Sequence, residues 1–220
     1  MKKFVFCLIL LVSNLLYGQV TQYNDRASWL AAAGTPDLVE DFEGFVADAD
    51  FKLSPVTLTI GTIQQMGEDE GFRNLIDSPP LDFPDNGGTS HASCFVNFPE
   101  SNDGTTVMLT FDQPVSAWGA QLYGVQGAEL AAFDVLDAIS TLIPISQDQF
   151  IGFTSTTPVT AIEFRAQNLI AGGTGEGFGV DDMEIAFDTS SQVPTLGQWG
   201  SALFLLIIGA AALFFLRRNR

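Results

Sequence analysis

Short runs in which apolar and polar residues alternate fill most of this chain, and Gly, Pro, Asn and Asp separate one run from the next. In Thr105–Phe111, for example, Val107, Leu109 and Phe111 fall on one face of an extended strand. In Val159–Ala166, Ile162, Phe164 and Ala166 likewise share an apolar face. Alternation of this kind between turn-forming residues indicates antiparallel strands with one buried face. The sequence therefore predicts an all-β body.

A short helix is predicted before the strands, at Tyr23–Gly34, where Asn24 or Asp25 can cap the start and Gly34 ends the helix. Many short strands with regular turns favour an antiparallel β-sandwich, jelly-roll-like, over a barrel. We expect this sandwich to form one domain of residues 19–189. The strand candidates are Leu38–Phe42, Val56–Gln65, Ser93–Phe98, Thr105–Phe111, Ala117–Tyr123, Glu129–Leu136, Ser140–Ile145, Phe150–Phe153, Val159–Ala166 and Phe178–Phe187.

The N-terminus predicts a secretory signal peptide in residues 1–18. Two lysines precede an apolar run from Phe4 to Val12, and mostly small or polar residues follow up to Gly18. A charged start, a short apolar stretch and a small residue before the cleavage point are the parts of such a peptide. Because the apolar run is too short to cross a bilayer, we expect cleavage after Gly18 and export of the body.

The C-terminus predicts a membrane anchor. No charged residue occurs from Thr189 to Leu216, and residues 201–216 are almost entirely apolar. With Trp199 and Gly200 this stretch approaches the ~20 residues that a transmembrane helix needs. The basic tail, residues 217–220, is expected to stay on the cytoplasmic side. We therefore expect a transmembrane helix at 201–216, with the body outside the inner membrane.

A linker and a short motif, VPTLGQWG, occupy residues 190–200, directly before this predicted helix. Motif, apolar helix and arginine cluster in this order resemble the IPTL-CTERM variant of the PEP-CTERM sorting tails, which most often has Ile where this chain has Val193. The resemblance implies cleavage near the motif by an exosortase, a membrane-embedded cysteine transpeptidase-like enzyme of Gram-negative bacteria. It also implies delivery to the cell surface or an extracellular matrix. The motif residues are Val193, Pro194, Thr195, Leu196, Trp199 and Gly200.

The body has a resemblance of its own, carried by five short segments in a fixed order. These segments are Ser28–Leu30, Val39–Glu43, Phe111–Val115, Phe150–Phe153 and Gly177–Asp182. Their order is similar to that in jelly-roll ectodomains that precede PEP-CTERM-type tails. The resemblance implies a secreted β-sandwich from a family mostly without an assigned activity.

The predicted body is strongly acidic. The chain has 9 basic and 26 acidic residues, and five of the basic residues lie in the two terminal segments. The body therefore has four basic residues against all 26 acidic ones, a net charge of −22. This charge repels the phosphates of nucleic acids. It excludes nucleic acid as a partner and favours cations, neutral sugars or basic proteins. The four basic residues are Arg26, Lys52, Arg73 and Arg165.

Two acidic clusters are candidates for calcium ligands, Glu40–Glu43 near the start of the body and Asp181–Glu184 near its end. Calcium prefers several oxygen ligands. Strand alternation predicts that Asp41 and Glu43 share one face of their strand, and that Asp182 and Glu184 share one face of theirs. Comparable segments hold calcium in several carbohydrate-binding jelly rolls, whose first and last strands commonly pair. Whether the clusters meet here depends on the strand order. One interpretation is a structural calcium site and the other is solvated acids at a sheet edge. The predicted ligands are Asp41, Glu43, Asp181 and Asp182.

Signatures of catalysis are weak. His91 is the only histidine, and Cys94 is the only cysteine outside the predicted signal peptide. Their spacing of three residues places them on opposite faces of a strand, so we expect a surface histidine beside an unpaired buried thiol. One histidine and one cysteine also fall short of a closed zinc site.

Three functions follow from these features. The leading hypothesis is a non-enzymatic surface or matrix protein that its tail sorts. The second is a carbohydrate-binding module for exopolysaccharide, with Trp118 and Tyr123 as candidate stacking rings, although core packing is the other interpretation of both. The third is a calcium-dependent polysaccharide hydrolase or lyase, which would need two carboxylates at a fixed separation.

Overall fold

A computed structural model of the chain describes residues 20–52, 54–67, 74–79, 81, 89–96, 105–125, 131–137, 141–166 and 176–187. The chain divides into two compact units, Met1–Phe187 and Asp188–Arg220, and every described residue belongs to the first. The described residues form one helix, α1 (Arg26–Ala33), and twelve strands. The strands are β1 (Val20–Tyr23), β2 (Leu38–Glu40), β3 (Ala49–Asp50), β4 (Val56–Leu58), β5 (Gly61–Met66), β6 (Leu75–Asp77), β7 (His91–Val96), β8 (Thr106–Tyr123), β9 (Ala131–Val135), β10 (Thr141–Ile145), β11 (Gln149–Ala166) and β12 (Glu176–Ala186).

All strand pairs are antiparallel, which confirms the all-β prediction. The main order is β10-β9-β11-β8-β12-β7-β6-β3, and β1, β2 and the β4–β5 hairpin pair with β11, β12 and β8. The last strand, β12, therefore lies inside the sheet, between β8 on one side and β7 and β2 on the other.

Two long strands, β8 and β11, link two sets of partners. The first half of β8 pairs with β5 and the second half of β11, and the second half of β8 pairs with β12 and the first half of β11. The sequence predicted two separate strands in each case. Instead, each strand continues through a proline in the stretch where the β8–β11 register shifts. The proline is Pro114 in β8 and Pro158 in β11. Proline is tolerated there because it does not have to donate a ladder hydrogen bond.

The predicted strand Val56–Gln65 is instead the hairpin of β4 and β5. Gly61 begins β5 with φ +153°, and a Cβ there would lie 2.0 Å from the carbonyl oxygen of Thr110 on β8. The hairpin therefore depends on a glycine at this close approach of two backbones. The short strands β3 and β6 were not predicted.

The predicted helix is confirmed as α1. The Asp25 side chain caps it by accepting a hydrogen bond from Ser28 N at 2.8 Å, and this bond lowers the pKa of Asp25. At the other end Gly34 has φ +86° and donates its N–H to Leu30 O at 2.9 Å. Trp29, fully buried, packs α1 against the sheet with Ala117, Phe150 and Ala186.

The main core is aromatic at its centre. Trp118 is fully buried, and its ring centroid lies 5.3 Å from that of Phe133 and 5.9 Å from that of Phe164, both in edge-on contacts. The predicted alternation is confirmed here, since Val107, Leu109 and Phe111 on β8 and Ile162, Phe164 and Ala166 on β11 are all buried.

The predicted signal peptide (1–18), linker and motif (190–200), transmembrane helix (201–216) and basic tail (217–220) lie outside the described residues. Among the residues that are described, no helix combines the length and apolar character that crossing a membrane requires.

Candidate functional site: an acidic cleft

One cleft brings the four predicted calcium ligands together. It has a volume of about 330 Å³ and an open mouth. Among the described residues, none of those that line it is basic. The residues that line it are Asp41, Glu43, Thr89, Tyr123, Asp181 and Asp182. Acids from the start and from the end of the described chain therefore share one negatively charged surface.

The pairing of β2 with β12 brings the two acidic clusters together. Glu40 lies opposite Met183, and Leu38 lies opposite Ile185. Directly after β2 the chain turns at Phe42, a fully buried side chain with φ +57°. This turn leaves Asp41 and Glu43 exposed on either side of Phe42, at the cleft.

On β12 the strand is irregular at the cleft. The register against β8 shifts between Asp181 and Glu184, and Asp182 has φ +48°. Both Asp181 and Asp182 consequently line the cleft, although they are neighbours in sequence. Met183, between Asp182 and Glu184, packs into the core, and only Asp182 of these two acids lines the cleft.

The outer members of both clusters have other partners. Glu184 is 4% exposed and accepts hydrogen bonds from the guanidinium of Arg26, which links β12 to α1. Glu40 is also buried, and its two carboxylate oxygens accept the backbone N–H groups of Phe42 and Thr59. These two acids hold the structure around the cleft rather than lining it.

Hydrogen bonds hold two of the cleft carboxylates in place, those of Asp181 and Glu43. Thr89 Oγ1 donates to Asp181 Oδ2 at 2.8 Å, and Asp182 N donates to Asp181 Oδ1 at 2.7 Å. The backbone N–H of Ser90 donates to Glu43 Oε1 at 3.1 Å. The segment Thr89–Ser90 thus contacts an acid from each cluster. Thr89 was not among the predicted residues, because nothing in the sequence around it indicates this contact.

The cleft disfavours further negative charge. Burial raises the pKa of Asp181, and the charge of Asp182 adds to this, while the hydrogen bonds from Thr89 and Asp182 N oppose it. Burial also raises the pKa of Tyr123, together with the charges of Asp181, Asp182 and Asp148. A bound cation would relieve both effects.

The donor chemistry of the cleft fits calcium, since every charged side chain that lines it offers carboxylate oxygens. The carboxylates are not preassembled, however. Within the described part of the chain, no group of three or more His, Cys, Asp or Glu side chains is placed to hold a metal ion. Asp41, Glu43 and Asp182 are exposed to solvent, and Ser90 N holds one carboxylate oxygen of Glu43.

A buried pair stands next to the cleft. His91 Nδ1 lies 2.9 Å from Thr89 O, which can only accept, so Nδ1 carries a hydrogen. His91 Nε2 lies 3.8 Å from Asp77 Oδ2 across β6 and β7, and both side chains are fully buried. The prediction of a surface histidine was wrong, because β7 is covered on both faces at this point.

The free thiol prediction is confirmed, since Cys94 is unpaired and buried, and burial raises its pKa. A buried, protonated thiol is a poor nucleophile. Trp118 belongs to the aromatic core and is unavailable as a sugar platform, whereas Tyr123 is half-buried and lines the cleft.

Comparison of this chain with protein-family models and with curated proteins finds no match.

Proposed function

We propose that this protein is an exported, non-enzymatic surface or matrix protein whose acidic cleft holds a structural calcium ion. An N-terminal signal peptide directs export, and a C-terminal helix anchors the protein in the inner membrane. An exosortase-type enzyme then acts near Val193–Gly200, and the body reaches the surface or extracellular matrix of a Gram-negative bacterium. The support for this address is the order of charged, apolar and motif segments at the two ends of the sequence.

We propose that the body is a sandwich of the jelly-roll type. The division of partners along β8 and β11 supports this, since each long strand pairs with one set of strands in its first half and another set in its second half. Strands that pass from one sheet to another through an irregular stretch are typical of packed sheets.

The observation that carries the calcium proposal is the meeting of Asp41 and Glu43 with Asp181 and Asp182 in one cleft. Four carboxylates that share a surface repel one another, so the cleft costs stability unless a cation neutralises it. Calcium bound there would join the segment after β2 to β12 and so stabilise the pairing of these two strands.

The test of the calcium proposal is thermal unfolding of residues 19–189 with calcium or with chelator, at constant ionic strength. We expect calcium to raise the melting temperature, since a ligand that binds only the folded state stabilises it. Asp41→Asn combined with Asp182→Asn should remove the rise. Asp112→Asn, an exposed acid outside the cleft, is the matched control and should keep it. An equal response in all three proteins, or no response in the parent, would overturn the proposal.

The sorting proposal is tested by cell fractionation of the full chain in a host that has an exosortase. We expect the full chain at the surface, and Pro194→Ala combined with Leu196→Ala should accumulate uncleaved in the inner membrane. Deletion of residues 190–220 should release the body. A surface location that survives both changes would refute tail-directed sorting.

Carbohydrate binding is a second candidate because Tyr123, half-buried, lies beside the cleft carboxylates. Calcium-bound sugars next to an aromatic ring would suit a neutral exopolysaccharide. A glycan array with and without calcium tests this function, and Tyr123→Ala should abolish any calcium-dependent signal. An array without a calcium-dependent signal would exclude carbohydrate binding as the function. Release of reducing ends from polysaccharides would instead favour an enzyme.

A further inference from the structure

No further inference is drawn: the strongest candidate, the fully buried His91–Asp77 pair across β6 and β7, is joined through Thr89 to the acidic cleft and so belongs to the site already described, and nothing in the structure shows a ligand that reaches it.

Discussion

At the scale of single residues, a buried amide joins three parts of the structure. Asn74 is fully buried; its Nδ2 donates to Gln65 Oε1 at 2.7 Å and to Phe95 O at 3.1 Å, and its Oδ1 accepts from Phe95 N. Its own carbonyl accepts from Phe51 N at 2.9 Å. Asn74 directly precedes β6, so its side chain ties the start of that strand to Gln65 on β5 and Phe95 on β7.

We predict that Asn74→Ala destabilises the body by about 2–4 kcal/mol, because three buried hydrogen bonds of ~1 kcal/mol each are lost. Chemical denaturation of residues 19–189 measures this change. Asn24→Ala is the control, since Asn24 is exposed and its side chain accepts a bond from the exposed Gln22 Nε2, and it should cost less than about 0.5 kcal/mol. Equal effects of the two changes would contradict the role given to Asn74.

Asp181→Asn measures what the buried carboxylate of the cleft costs the fold when no calcium is present. Because burial raises the pKa of Asp181 above its unfolded value, its ionised form destabilises the fold, and this cost disappears as the pH falls through the folded pKa. Asp181→Asn should therefore raise the melting temperature at pH 7 in chelator, and the gain should vanish at acidic pH where both states are protonated.

The matched control for Asp181→Asn is again Asp112→Asn, whose side chain is exposed. The side-chain amide introduced by Asp181→Asn can keep both hydrogen bonds of the carboxylate it replaces. Its oxygen can accept from Asp182 N, and its NH₂ can donate to the hydroxyl of Thr89. A lower melting temperature for Asp181→Asn at pH 7 would show that hydrogen bonding outweighs desolvation.

Sequence patterns predicted single residues well where a strand is regular and poorly where it is not. Leu109 and Phe164 were assigned to the core from alternation alone, and both are fully buried. Glu184 binds Arg26 on α1 and does not line the cleft, a tertiary contact that alternation along a strand does not reveal. His91 was misplaced because the pattern around it gives no sign of the strands that cover it.

At the scale of elements, Trp29 is the buried side chain through which α1 packs on the sheet. Trp29 Nε1 donates to Phe153 O at 3.1 Å, and the ring lies over two glycines of β8 and β11. A Cβ on Gly152 would lie 2.7 Å from Trp29 Cδ1 and 2.9 Å from Trp118 O. The missing side chain at Gly152 is what lets the helix approach the sheet.

We predict that Gly152→Ala destabilises the body by about 1–3 kcal/mol through overpacking. The effect should shrink in a Trp29→Ala background, because one of the two close contacts is then absent. Gly177→Ala on β12 is the control, since the nearest atoms to its Cβ would be at 3.9 Å and 4.0 Å. A double-mutant cycle by thermal unfolding measures the coupling, and strict additivity would contradict the docking role of Trp29.

The helix was predictable because its cap, its alanines and its terminal glycine are local signals. The two 18-residue strands were not. Pro114 and Pro158 look like strand breaks in the sequence, yet each falls where its strand changes partners. Only the pairing of distant segments makes such prolines acceptable, and a single sequence carries little information on that pairing.

At the scale of the whole molecule, excess negative charge opposes compaction. The predicted body has four basic residues against 26 acidic ones, and two of the four, Arg26 and Arg165, pair with Glu184, Glu163 and Asp134. Little positive charge remains to balance the surface, so the folded state carries strong self-repulsion.

We predict that residues 19–189, in chelator, melt at a higher temperature as NaCl rises from about 10 mM to about 200 mM, because salt shortens the range of repulsion. Choline chloride at equal ionic strength should act similarly, since the effect is screening and not site binding. Calcium should add a further rise at low millimolar concentration. If calcium and NaCl of matched ionic strength raise the melting temperature equally, calcium acts only by screening and does not bind a specific site.

Whether the two acidic clusters meet was left open by the sequence, because alternation within a strand does not say which strands pair. The pairing of β2 with β12 brings them together. The conformation of the cleft was not predictable, since it depends on left-handed backbone at Phe42 and Asp182, a conformation that is uncommon outside glycine.

The position of β12 also bears on biogenesis. The final strand of the body inserts between β8 and its two other neighbours, so a nascent chain that has delivered only its first 175 residues holds an open slot with unpaired ladder groups on both sides. Such a precursor invites association with other chains. The sheet around β8 and β7 can therefore be completed only after synthesis has passed Ala186, and translation products that stop short of β12 should aggregate or be degraded.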